Sequence, residues 1–140
     1  MTQIRYACSS DREFWFSMDK HLPECEFEKK IRYRQCYILT DCGNAVGILR
    51  YNFFWDNTPF CNLLYIAAGH RGMGYGKTLM KYWEAEMRAN GYGIVMTSSR
   101  ADETAQHFFR KLGYNDCGAL MINEHGYEQP AEIFFLKSII

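Results

Sequence analysis

Apolar residues recur along this chain with two periods, and turn residues separate the segments that carry them. Residues 4–7 (IRYA) predict a short strand. Ser10 or Asp11 can cap a helix running to about Lys20, with Phe14, Trp15, Met18 and Leu22 on its apolar side. Pro23 permits a second helix from Glu24 to about Ile31, where Phe27 and Ile31 are four apart. Residues 36–40 (CYILT) and 45–54 (AVGILRYNFF) predict a hairpin around DCGN, in which Gly43 and Asn44 can take positive φ. A second turn, DNTP at 56–59, leads into FCNLLYIA at 60–67. That run is almost continuously apolar, which predicts a central strand buried on both faces.

Helical spacing returns after a glycine-rich segment. Tyr75, Leu79, Trp83 and Met87 recur every four residues, and Lys77, Lys81, Glu84 and Arg88 fall on another side. This amphipathic helix is expected to end near Asn90 and Gly91. Residues 92–98 predict the next strand, and Asp102 is expected to open a helix that runs to Leu112 and stops at Gly113. Residues 114–122 and 131–137 predict two last strands around a polar loop. The order βααβββαβαββ describes a mixed α/β sheet. With 140 residues and no repeat or linker, one domain is expected over 1–140.

Composition narrows the partners. Sixteen basic residues balance sixteen acidic ones, so no global field draws in nucleic acid and any anion site must be local. None of the six cysteines is spaced C-x-x-C, which argues for reduced thiols and no metal. The N-terminus lacks the apolar segment of a signal peptide. No apolar run approaches the roughly 20 residues that span a bilayer. A cytoplasmic protein without a membrane partner is the expectation. Apolar residues in the last strands are candidates for a homodimer contact.

The segment HRGMGYGKT, residues 70–78, carries the candidate chemistry. Its end matches a Walker A loop, but Arg71 stands where that loop needs its first glycine. The even spacing of Gly72, Gly74 and Gly76 also fails the dinucleotide pattern G-x-G-x-x-G. Arg71-Gly72-Met73-Gly74-Tyr75-Gly76 does fit R/Q-x-x-G-x-G/A, following an apolar strand and opening a helix. A helix N-terminus leaves unpaired N–H groups with about half a positive charge, and glycines let a diphosphate come close. Such a cradle needs no metal.

Here the chain resembles the GNAT superfamily of acetyl-CoA-dependent N-acetyltransferases. LLYIAAGHRGMGYGKTLMKYWE is similar to their signature strand–loop–helix, and DETAQHFFRKLGY (102–114) to their second motif, N-x-x-A-x-x-F-Y-x-K-x-G-F. The resemblance implies a GNAT fold: a mixed, mostly antiparallel central sheet flanked by helices, with splayed central strands forming the acetyl-CoA cleft. It implies that Arg71, Gly72, Met73, Gly74, Tyr75, Gly76 and Lys77 line the coenzyme diphosphate. It further implies that Ile66, Ala67 and Ala68 pair with the pantetheine arm through backbone groups, and that Phe109 lies near the sulfur. The implied activity is acetyl transfer to a primary amine, with a small-molecule amine as the expected acceptor.

Three departures bear on catalysis. Asp102 replaces the family's usual Asn, and Phe109 replaces the Tyr that protonates the leaving thiolate in many relatives. The frequent Glu on the signature strand is absent, since residues 60–67 offer only Cys61, Asn62 and Tyr65 as polar side chains. Asp56 is then the candidate to bind or deprotonate the amine, and Tyr65 the candidate acid. No histidine stands beside Cys61 in sequence, which argues against an acyl-enzyme there. Trp15, Phe27 and Trp55, with Glu24, Glu26, Glu28 and Asp56, are expected to wall the acceptor site, a surface suited to a cation. A coenzyme A-binding module with little catalysis is the main rival. A nucleotide hydrolase would instead require magnesium-dependent nucleotide binding.

Overall fold

A computed structural model describes all 140 residues, and its elements follow the predicted order. They are β1 (Thr2–Tyr6), α1 (Arg12–Met18), α2 (Glu24–Arg32), β2 (Cys36–Asp41), β3 (Asn44–Phe54), β4 (Thr58–Ile66), α3 (Tyr75–Ala89), β5 (Ile94–Arg100), α4 (Ala105–Lys111), β6 (Asn115–Leu120) and β7 (Glu132–Ser138). Single 3-10 turns occupy Ser9–Asp11 and Ala68–His70. The seven strands form one sheet in the order β1-β2-β3-β4-β5-β7-β6. β4 and β5 are parallel, whereas β1/β2, β2/β3, β5/β7 and β6/β7 are antiparallel.

The chain divides into two compact units. The first comprises Met1–Asn52 and Asn62–Glu86. Strand β2 is buried on both faces over Cys36, Tyr37, Ile38 and Leu39. Cys36 and Ile38 join Trp15, Phe27 and Ile48 in a core beneath α1 and α2. Tyr37 points the other way: its ring meets Tyr82, and its hydroxyl donates to Glu86 Oε1 at 2.5 Å, both on α3. Asp19 ends α1 with a fully buried carboxylate. That carboxylate accepts from Trp15 Nε1, Arg50 Nε and the His21 and Leu22 amides. Burial pushes its pKa up, but Arg50 and the amides outweigh this and hold it below the usual carboxylate range.

The second unit comprises Phe53–Cys61 and Met87–Ile140. The alternation of β7 puts Phe135 on the face that carries α4, where it meets Phe109 at 6.0 Å, and Phe134 on the opposite face. Phe134 there meets Phe54 and Phe60 at 6.5 and 5.6 Å. Strand β6 is exposed along its whole length because it is the sheet edge, and Arg110 pins it with two bonds to Asp116 at 2.9 and 2.8 Å.

Several expectations need correction. Positive φ in the first hairpin falls on Cys42 and Gly43; Asn44 already pairs in β3, so the two-residue turn sits one position earlier. Glu84 is only 2% exposed, because the buried stripe of α3 includes Met80 as well as Leu79, Trp83 and Met87 and widens over position 84. Helix α4 starts at Ala105; Asp102 lies outside it, held instead by Arg100 at 3.1 and 2.8 Å. Strand β4 is buried on both faces only near Phe60 and Cys61, the residues that pair with Met96 and Thr97 of β5. From Asn62 onward it is exposed or half-buried.

Candidate active site

The glycine-rich loop joins β4 to α3 within the first unit. Gly72 and Gly74 have φ of +76° and +85°, a region that costs an L residue about 1–2 kcal/mol. A Cβ at either would meet no protein atom within 4 Å, so their immediate surroundings are open. The first helical bond runs from the Thr78 amide to Gly74 O at 3.0 Å. The amides of Tyr75, Gly76 and Lys77 precede it and have no partner within the helix. No acid occupies the first turn, so nothing on the helix neutralises its dipole there. Tyr75 is buried and anchors the helix start, its hydroxyl donating to Asp41 Oδ2 at 2.5 Å. Lys77 stays exposed beside the loop. Open space, orphan amides and local positive charge suit a diphosphate.

The backbone positions expected to hold pantetheine are partly engaged. The Ala67 amide donates to Val46 O at 2.8 Å, so it faces β3. Ile66 O accepts from Arg71 Nε at 2.9 Å and keeps one lone pair. That bond folds Arg71 back over the Tyr65 ring, with its guanidinium carbon 5.0 Å from the centroid. Tyr65 is half-buried against the α1–α2 core. Phe109 is buried among Phe108, Tyr114 and Phe135. Asp56 is exposed at the tip of the β3–β4 hairpin.

The expected acceptor wall does not assemble as read. Trp15 and Phe27 are 0% exposed and pack at 5.5 Å as core, where the apolar face of each helix must go. Glu24 and Glu28 both pair with Arg12, and Glu26 pairs with Lys29. Trp55 alone of the three aromatics is open, at 79%.

Two groups escaped the sequence reading. Ser98 Oγ donates to Glu132 Oε2 at 2.7 Å across the β5–β7 ladder. Ser99, on the α4 face of β5, is 7% exposed and its hydroxyl has no partner. The available signal was the polar run TSSR inside an apolar strand.

A mostly antiparallel sheet flanked by helices, whose central strand runs through a glycine turn into a long helix, defines the α/β fold. Residues 4–114 match the model of the Acetyltransferase (GNAT) family, and the chain belongs to that family. It is thereby an N-acetyltransferase of a family that uses acetyl-CoA. No curated protein matches it. Among solved structures it is similar to Ard1 from Thermoplasma volcanium, with a TM-score of 0.86 at 17% identity over 99% of this chain and 98% of that one. The ribosomal-protein-S18-alanine N-acetyltransferase from Escherichia coli gives 0.83 at 16% over 99% and 94%. N-acetylglutamate synthase from Neisseria gonorrhoeae, complexed with coenzyme A and N-acetyl-glutamate, gives 0.81 at 16% over 100% of this chain and 35% of that one. No helix is long and apolar enough to cross a membrane.

Proposed function

We propose that residues 1–140 form one domain that moves an acetyl group from acetyl-CoA to the primary amine of a small molecule, by direct attack in a ternary complex. Acetyl-CoA supplies the thioester; the neutral amine forms the new C–N bond as the C–S bond breaks. Holding the two together provides much of the rate. The start of α3 carries this reading: its amides, the open glycine loop and Lys77 would grip the diphosphate. Arg71 would release Ile66 O, or share it with a pantetheine amide. A small acceptor is favoured over a basic peptide because the acids of α2 are already paired with Arg12 and Lys29. Asp56 and Tyr65 are the proton-handling candidates of this reading.

Melting curves with acetyl-CoA, coenzyme A and magnesium-ATP test it. A ligand at 100 times its Kd adds about 2.7 kcal/mol. Both coenzyme species should raise Tm by several degrees and ATP should not. A shift with magnesium-ATP alone would refute the assignment. The buried Phe109 supports a second reading, a coenzyme A-binding module, which predicts the same shifts but no amine-dependent release of coenzyme A.

A further inference from the structure

The second unit carries an aromatic and acidic face. Phe54, Phe60 and Phe134 form one cluster on the side of the sheet opposite Phe109. Trp55 extends it, 4.8 Å from Phe54. Ser98 stands directly across from Phe134 in the ladder, and Glu132 is two residues from Phe134 on the same face. Ser98 fixes Glu132 Oε2, while Oε1 has no protein donor. Arg100 is the cross-strand neighbour of Glu132, but its guanidinium is held by Asp102 with two bonds and faces Glu103 at 3.7 Å. The carboxylate is therefore oriented yet keeps an oxygen for a ligand.

The hairpin that presents Trp55 adds an independent observation. Trp55 and Asp56 have φ of +55° and +61°, and the Asn57 amide donates to Phe54 O. This is a type I′ turn, which strongly prefers Asn-Gly. A tryptophan and an aspartate in left-handed backbone are strained, and such strain concentrates at functional sites. Here it holds an indole in solvent beside an aromatic cluster.

We propose that Glu132, held by Ser98, receives the ammonium of a cationic amine acceptor whose apolar body lies against Phe54, Trp55 and Phe134. Cation and ring contacts favour a positively charged, aromatic-bodied amine, and the carboxylate repels an acceptor with its own carboxylate beside the amine. Asp56 is exposed and makes no such ordered contact, so Glu132 is the better amine receptor, and the ammonium gives up one proton to its carboxylate before the neutral amine attacks the thioester. The inference rests on the acetyltransferase reading.

Coenzyme A release with phenethylamine, tryptamine and phenylalanine as acceptors tests it on the unaltered protein. The two amines should exceed phenylalanine at least about tenfold in kcat/KM. Glu132→Gln should raise the phenethylamine KM about tenfold and leave the acetyl-CoA KM unchanged; Ser98→Ala should raise it severalfold. A phenylalanine preference, or an unchanged amine KM in folded Glu132→Gln, overturns the assignment. So does a protein that melts higher with acetyl-CoA but acetylates neither amine, which leaves the family reading standing. If acetyl-CoA gives neither shift nor turnover, the reading itself fails and the inference falls with it.

Discussion

Replacing Gly74 separates backbone strain from ligand charge. Its φ of +85° is left-handed, and a Cβ there meets nothing within 4 Å. Gly74→Ala should therefore cost only strain, about 1 kcal/mol, or roughly 3 °C in Tm for a chain of this size. Gly74→Asp should cost no more in stability, since Asp tolerates this region better than Ala. Its carboxylate would also lie beside the start of α3, where the proposed diphosphate binds. One charge about 5 Å from two, at an effective dielectric near 60, repels by about 2 kcal/mol, or about 30-fold in Kd. Titration calorimetry with coenzyme A measures this directly. Repeating it at 1 M salt, where the screening length falls to about 3 Å, should recover most of the loss for Asp and little for Ala. The placement is refuted if folded Gly74→Asp binds coenzyme A within threefold of the parent. Equal weakening by Ala and Asp, insensitive to salt, would reduce Gly74 to a conformational role.

Three further predictions use other parts of the molecule. Bonding to Arg5 pulls the Asp11 pKa down from 3.8 to about 2. That stability is fully present above pH 4 and lost as pH falls through about 2. Asp11→Asn should cost about 2 kcal/mol in urea at pH 7, and the gap should close by about pH 2. Replacing Trp55 by Asn together with Asp56 by Gly gives the hairpin its preferred turn residues, and should raise stability by about 1 kcal/mol while weakening amine binding. A lower Tm would show that the turn is not strained. Phe109→Tyr supplies the phenol that the motif resemblance implies at this position and should raise kcat severalfold; a flat kcat in a folded variant removes position 109 from thiolate protonation.

What was legible in the sequence is what backbone geometry demands of single residues. Gly72 and Gly74 could be read as loop residues because left-handed φ favours glycine, and the element order followed from periodicity together with turn and cap residues. The burial of Glu84 and the half-exposure of β4 were not legible, because they depend on how wide a helix stripe is covered and where a ladder stops. The acceptor wall was misread for a related reason. Aromatic residues on an amphipathic helix have one apolar partner, the core, so Trp15 and Phe27 were never available to a ligand. Glu132 was missed because its meaning lies in a cross-strand bond to Ser98, 34 positions away, which no local pattern encodes. A cradle built from backbone amides leaves its mark in glycine spacing, whereas a side-chain receptor leaves its mark only in register. Glycine spacing can therefore be read along one chain, whereas the Ser98–Glu132 pairing is read only with β5 and β7 set side by side.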